Sequence, residues 1–164
     1  MLPKTALLAM LVLVLGSAGG ASADTAFSAI STHYEVIRQA LMKDSAAGVR
    51  EHAQAIQFIA SRLSQDLSAA SAGVAESDAR AVREVLPGII ECSGALAAAD
   101  GLTAVRTAFA ELTMPLVRYH RLVQGARPVV AYCPMEKKSW LQPDEAIGNP
   151  YAPSMLRCGE IVQR

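Results

Sequence analysis

The sequence predicts an all-α fold, an up-down four-helix bundle with an irregular C-terminal tail packed on it. Residues 25–125 are rich in Ala, Leu, Arg and Glu, which are good helix formers. Apolar residues recur there at spacings of three and four in four successive segments. Because the links are short, the helices are expected to pack antiparallel. We expect one domain, with the bundle over 24–127 and the tail over 128–164.

The first two helices follow from their apolar stripes. The first helix is expected over roughly 25–43. Its stripe consists of Phe27, Ile30, Tyr34, Ile37 and Leu41. Asp44 and Ser45 are good N-cap candidates for the second helix. The stripe of that helix consists of Val49, Ala53, Ile56, Ala60, Leu63 and Leu67.

The second pair of helices is separated from the first by small polar residues, 69–77, which predict a loop. Ser77 is a candidate cap for the third helix, and Pro87 is expected to kink or restart it. Its stripe consists of Ala81, Val85, Ile89, Cys92 and Leu96. Pro115 is expected to bend the fourth helix. The stripe there consists of Leu102, Val105, Phe109, Leu112, Leu116, Tyr119 and Val123.

The tail has a different character, since it holds five of the eight prolines and the only tryptophan of the chain. Residues 129–132 (Val-Val-Ala-Tyr) are typical of a short strand. Residues 159–162 (Gly-Glu-Ile-Val) are the candidate partner strand in a β-hairpin. This pairing would bring Cys133 and Cys158 near each other.

The N-terminus has the pattern of an export signal. Lys4 provides a positive charge, residues 6–15 are apolar, and Ala21-Ser22-Ala23 forms a cleavage site. The apolar run is shorter than the roughly 20 residues that span a bilayer. We therefore expect residues 1–23 to be a signal peptide and the protein to be periplasmic or secreted.

Charge and motifs exclude several classes of function. The 164-residue chain has 15 basic and 15 acidic residues and no basic stripe, so nucleic acid is not an expected partner. No second segment is apolar enough for a membrane span after signal cleavage. The chain also lacks a nucleophile elbow, a phosphate-binding glycine loop and a haem-attachment motif. We therefore do not expect an enzyme.

Four sulfur-containing residues of the tail form the candidate metal site: Cys133, Met135, Met155 and Cys158. Two thiolates and two thioethers suit a soft ion such as Cu(I) or Ag(I) better than a hard cation. The spacing leaves an equally simple alternative, in which Cys133 and Cys158 form a disulfide in an oxidising compartment. An odd cysteine count leaves at least one thiol outside any intramolecular disulfide. Cys92, on an apolar helix stripe, is interpreted as structural.

The three histidines lie outside this cluster. His33 and His52 fall on successive helices at similar distances from the turn at Asp44, so the two side chains could face each other and bind metal. No His-x3-His or His-Glu-x-x-His spacing supports a metal site, and the sequence favours a packing role. His120 lies near a helix C-terminus. The helix dipole favours a histidine there, so its presence needs no functional explanation.

The motifs of the tail resemble a bacterial exported domain of unknown function. The matching segments are CPM at 133–135, WL at 140–141, NPY at 149–151 and ML-x-CGE at 155–160. That domain occurs alone or fused to periplasmic adaptor subunits of heavy-metal efflux systems. The segment between CPM and WL is shortened here to four residues, 136–139, compared with many family members.

The resemblance implies a function linked to copper or silver. It implies a compact helical domain that binds metal through Cys133, Met135, Met155 and Cys158, for buffering or hand-over to an efflux component. The alternative, which belongs to a different class of function, is a non-catalytic structural or adaptor module with a Cys133–Cys158 disulfide and no metal. A structural role is expected for the NPY segment, and Trp140 with Leu141 is expected to anchor the tail on the bundle.

Overall fold

The computed structural model describes residues 25–164, and the expected signal peptide lies outside this range. The described chain is mostly helical, with a small antiparallel sheet near its C-terminus. Five α-helices run in the order α1 (Ala26–Met42), α2 (Val49–Gln65), α3 (Ala69–Ala72), α4 (Ala79–Ala98) and α5 (Leu102–His120). The strands are β1 (Val129–Cys133), β2 (Lys138–Gln142) and β3 (Glu160–Gln163). No helix of the described range is long and apolar enough to cross a bilayer.

The helical core forms where the predicted apolar stripes meet. Helix α2 packs extensively against both α1 and α4, and α4 packs against α5. The two ends of this series, α1 and α5, meet less extensively, through the stacked rings of Tyr34 and Phe109 with centroids 4.5 Å apart. Helices α4 and α5 also meet at Gly88 and Pro115, where a Cβ added to Gly88 would lie in ordinary contact with Pro115, 3.5 Å from its Cβ.

Several predicted details of the helix ends are wrong. Helix α2 begins after Gly48, which has a left-handed φ of 76°, and neither Asp44 nor Ser45 caps it. Asp44 instead accepts a 2.8 Å hydrogen bond from Arg106. The segment 69–77 is not a simple loop, since it contains α3 and the start of a 3₁₀ turn over Glu76–Asp78. Helix α4 continues through Pro87 without a restart.

The tail is more regular than expected, so the all-α prediction needs correction. The strands form one antiparallel sheet in the order β2-β1-β3. The predicted pairing of β1 with β3 is confirmed, with Tyr132 opposite Glu160 and an irregularity between Val130 and Ala131. The hairpin between strands adjacent in sequence is β1–β2, and the sequence did not predict it because β2 begins with the polar residues Lys138 and Ser139.

Strand β2 docks the sheet on the helices. Trp140 and Leu141 are both buried, as predicted for the anchor of the tail. The backbone N–H of Leu141 donates to the Tyr34 hydroxyl at 3.3 Å, which donates to Thr113 Oγ1 at 2.7 Å. Thr113 in turn donates to the carbonyl of Phe109 at 2.9 Å. This buried chain of hydrogen bonds connects β2 to α1 and to α5, so it fixes the position of the sheet.

Two arginines attach the loop between β2 and β3 to the helices. Arg38 is buried on α1, binds the Glu35 carboxylate with two hydrogen bonds of 2.7 Å, and donates to the carbonyl of Gly148 at 2.6 Å. Arg106 on α5 donates to the carbonyl of Pro150 at 3.1 Å. The guanidinium groups therefore satisfy carbonyls of a segment that has no strand partner.

The close contact between Gly159 and Trp140 gives a stability prediction. Gly159 has a φ of 151°, and a side chain there would lie 2.6 Å from Cη2 of the indole. Overpacking of this kind costs about 1–3 kcal/mol. Gly159→Ala should therefore lower the free energy of unfolding, measured by urea denaturation, more than Gly125→Ala does. Gly125 is a matched control because it also has positive φ, 78°, but no atom within 4 Å of the added Cβ. Equal losses would contradict this account of the packing.

Candidate metal centre

Cys133 ends β1 and is fully buried. Its position relative to Cys158 follows from strand register. Tyr132 lies opposite Glu160 in the antiparallel pair of β1 and β3. The next residue of β1 therefore lies beside the segment that leads into β3. This brings the two thiols, 25 positions apart in the sequence, close enough for each to shift the pKa of the other.

The turn that holds Cys158 is fixed by Asn149. This buried side chain donates from Nδ2 to the carbonyl of Cys158 at 3.3 Å and accepts from the N–H of Tyr151 at 2.9 Å. Its backbone N–H donates to the carbonyl of Leu156 at 2.9 Å. The Asn149 side chain thus forms an Asx turn and also binds the cysteine loop. This agrees with the structural role expected for the NPY segment.

Aromatic packing completes the support of Cys158. The ring of Tyr151 lies edge-on to that of Trp140, with centroids 6.2 Å apart, and its hydroxyl donates to the carbonyl of Ser139 at 2.8 Å. The indole lies directly beneath Gly159. Trp140 Nε1 donates to Gln142 Oε1 at 2.7 Å, so its only polar group is satisfied despite burial.

The short turn between β1 and β2 supplies hydrogen-bond donors to Cys133. The backbone N–H groups of Glu136 and Met135 point at its sulfur. Lys137 has a φ of 54°, the left-handed conformation that allows the chain to reverse within so few residues. The shortened segment after the CPM motif therefore forms a tight hairpin turn. Donors aimed at a sulfur stabilise its thiolate form.

The two thiols have pKa values shifted in opposite directions. Burial raises the pKa of Cys133, but the hydrogen bond from Cys158 and those from the backbone of Glu136 and Met135 outweigh it, so its pKa lies below the usual value. The pKa of Cys158 is raised, first by the hydrogen bond that it donates to Cys133 and then by desolvation. The two thiols therefore lose their protons in coupled steps, with Cys133 ionising before Cys158.

The two methionines are less closely engaged. Met135 lies in the hairpin turn with its side chain 71% exposed, and Met155 ends a 3₁₀ turn over Pro153–Met155 and is half-buried. The backbone N–H of Met135 faces the sulfurs. The structure brings the two cysteines together, whereas Met135 would need a rotamer change to add its thioether.

The donor set fits a soft ion of low coordination number. All three cysteines are present as thiols. Within residues 25–164, no group of three or more His, Cys, Asp or Glu side chains could hold a metal ion. A zinc site of the usual four such ligands is therefore not formed there. Two adjacent thiols with nearby thioethers match the preferences of Cu(I).

The remaining cysteine and histidines lie elsewhere. Cys92 is half-buried on α4, and its pKa is raised by burial and then by Glu111 and Glu91. His120 is buried, with Nε2 2.6 Å from the carbonyl of Pro128 and Nδ1 3.2 Å from Gln163 Nε2. His33 and His52 do face each other across α1 and α2, with 2.8 Å between their Nδ1 atoms.

The sequence did not indicate two side chains that support the site from outside the sulfur cluster, Gln142 and Arg38. Gln142 accepts from the indole and also from the N–H of Gly148 at 3.3 Å, and donates to the carbonyl of Asp144 at 2.6 Å. Arg38 lies on a helix stripe next to buried positions, where a charged residue is unusual.

Comparisons with family models, with curated proteins and with solved structures gave no significant match. The function must therefore be argued from the site itself.

The coupling between the thiols can be tested by titration. Cys158→Ala removes the S–H donor and should raise the pKa of Cys133, whereas Cys158→Ser retains a donor and should raise it less. The ¹³Cβ chemical shift of Cys133, followed against pH under reducing conditions, reports its ionisation directly. Cys92 is the internal control and should titrate identically in all three proteins. An unchanged pKa in the alanine variant would show that the two thiols are not coupled.

Proposed function

We propose that this protein binds a soft monovalent metal ion, Cu(I) or Ag(I), for buffering or for hand-over to an efflux system. Cys133 and Cys158 are the principal ligands, and Met135 and Met155 add thioether sulfur. The observation that carries the proposal is the proximity of two thiols from distant parts of the sequence, set by the register of β1 with β3, one with a lowered pKa.

The electrostatics of the pair support metal binding as thiolates. Metal ligation requires deprotonated cysteines, so binding releases protons. Since the pKa of Cys133 is lowered, its thiolate is available first, and binding of Cu(I) by both sulfurs releases the protons of both thiols. Affinity should therefore fall as the pH is lowered, first through the raised pKa of Cys158 and then through the lowered pKa of Cys133. Glu136 lies near both sulfurs and disfavours additional negative charge, which a bound cation compensates.

The exposure of Met135 suits an ion that must be transferred. A ligand on a solvent-exposed turn can close over a metal or leave it without disturbing the core. Cys133, by contrast, is buried at the end of a strand. The site would thus have one rigid ligand and one mobile ligand, and a partner protein would gain access from the side of the turn.

The helical part serves as the scaffold of the site. We infer that α1, α2, α4 and α5 form an up-down four-helix bundle, supported by the contacts of α2 with α1 and α4 and of α4 with α5. The export pattern of residues 1–23 supports a periplasmic or secreted location. A periplasmic efflux component as partner is supported by the resemblance of the tail motifs alone.

A second candidate function rests on the same contact between thiols. Oxidation of Cys133 and Cys158 would form a disulfide that links the end of β1 to the loop that precedes β3. The protein would then be a non-catalytic adaptor module that docks to a partner and binds no metal. The proximity of the thiols favours this function as much as the lowered pKa favours metal.

Cu(I) titration of the reduced protein against a chromophoric chelator tests the leading proposal. Cys133→Ser and Cys158→Ser should each weaken binding by about 100-fold or more, since even outer-sphere changes at metal sites cost 10- to 100-fold. Met135→Leu and Met155→Leu should cost about tenfold or less, because a neutral thioether contributes less than a thiolate.

Matched controls are available in the same chain. Cys92→Ser removes a thiol that lies on α4, and Met114→Leu changes a methionine that is 62% exposed on α5, much like Met135. Both variants should bind Cu(I) as the parent protein does. If the reduced parent does not compete with the chelator, or if Cys92→Ser loses as much affinity as Cys133→Ser, the proposal is wrong.

Thiol counting on protein isolated without reductant separates the two functions. A denatured sample that reacts with three equivalents of alkylating reagent supports the open metal site. One reactive equivalent supports the Cys133–Cys158 disulfide, because Cys92 alone remains free. Peptide mapping identifies which cysteines are joined, and a disulfide that includes Cys92 would contradict both proposals.

A further inference from the structure

The pair of histidines on α1 and α2 has an unusual geometry. His33 Nδ1 and His52 Nδ1 lie 2.8 Å apart, with ring centroids 5.1 Å apart and planes inclined by 44°. Neutral imidazoles can meet this way only if one Nδ1 carries hydrogen and the other offers its lone pair. The same ring nitrogen of both residues thus points at one spot between two helices.

Neither α1 nor α2 carries a charged side chain one helical turn away from these histidines. The positions one helical turn from His33 or His52 hold only small or aliphatic residues. These residues are Ala29, Ile30, Val36, Ile37, Gly48, Val49, Ala55 and Ile56. A carboxylate that would hold an imidazolium in place is missing from these positions, so the pair is not built to bind a second proton.

The pair is also accessible from solvent. Both side chains are half-exposed. Gly48 precedes α2 on the same side, and a Cβ added there would come within 3.6 Å of His52 Cδ2. The absent side chain leaves that edge of the imidazole uncovered. The pKa of His33 is lowered by burial and then by the charge of His52, which favours the neutral, ligating form.

We infer that His33 and His52 form a second metal site, for a borderline first-row ion such as Zn(II) or copper, separate from the sulfur pair. Two imidazole nitrogens bind the ion, and water or an exchangeable ligand occupies its remaining positions. The ion takes the place of the proton that the two Nδ1 atoms share. Imidazole is the preferred ligand type for such ions, as thiolate is for Cu(I).

The required rearrangement is small. Metal–nitrogen bonds of about 2.0–2.1 Å at a tetrahedral angle separate two nitrogens by roughly 3.3 Å. The observed separation of 2.8 Å therefore needs to widen by about half an ångström. Rotation of two half-exposed rings provides this without movement of the helices, because neither ring is enclosed by the core.

The experiment uses Zn(II) and a Cys133→Ser/Cys158→Ser background, so that the sulfur pair cannot contribute. Long-range ¹H–¹⁵N spectra of the imidazoles follow the titration, and Nδ1 of His33 and His52 should shift together at one equivalent of metal. His120 is an internal control, since both its nitrogens have partners. Its signals should remain unchanged.

Affinity measurements on variants complete the test. His33→Gln and His52→Gln should each weaken Zn(II) binding by at least about 100-fold, by comparison with the 10- to 100-fold cost of outer-sphere changes. Gln54→Ala, an exposed change on the same helix, should have no effect. Absence of an Nδ1 shift with metal in excess would overturn the inference and leave the pair as a simple N–H···N hydrogen bond. Equal affinity in the glutamine variants would overturn it as well.

This inference is independent of the proposed function. Cu(I) binding by the sulfur pair should persist in His33→Gln/His52→Gln, just as Zn(II) binding should persist in the cysteine background. Failure of one site therefore does not affect the conclusion about the other.

Discussion

The burial of Trp140 is the constraint on which the C-terminal tail, residues 128–164, depends. Strand β2 places this side chain beneath Gly159, and the ring of Tyr151 packs against its edge. Gln142 satisfies the indole N–H and also binds the N–H of Gly148. One large buried side chain thereby fixes both the start of β3 and the loop that precedes it. Because Cys158 directly precedes Gly159, the position of its thiol is a consequence of this packing.

Burial and hydrogen bonding oppose each other at the sulfur pair. Full burial alone would make Cys133 an inert thiol with a raised pKa, as it does for the partly buried Cys92. Two backbone N–H groups of the hairpin turn and the thiol of Cys158 reverse that effect. The turn thus has two functions, since it reverses the chain between β1 and β2 and also stabilises negative charge on sulfur. Negative charge on a buried sulfur is costly unless a hydrogen-bond donor or a cation lies beside it.

The sequence could predict elements whose signal is local. The stripe from Phe27 to Leu41 predicted α1 closely, because a helix that packs on one side must repeat its apolar residues every three to four positions. The sequence did not predict β2, because this strand depends on the burial of Trp140 and not on an alternation of apolar and polar residues. The sequence indicated a structural role for Asn149 but not its hydrogen bond to Cys158. It gave no indication that Arg38 binds the carbonyl of Gly148. Arg38 bridges segments 110 positions apart in the sequence, and no local pattern encodes such a partner.

The two candidate sites depend on different levels of the structure. His33 and His52 belong to helices joined by a short turn, so their geometry requires only that α1 and α2 pack together. Cys133 and Cys158 meet only when the sheet is docked on the helices through Tyr34 and the loop is held by Arg38 and Arg106. Local opening of the tail would therefore separate the sulfurs while the imidazoles stay in place. Since a ligand stabilises the state that binds it, an ion bound between the two sulfurs would stabilise the docked tail, whereas an ion bound between the imidazoles would stabilise only the packing of α1 against α2.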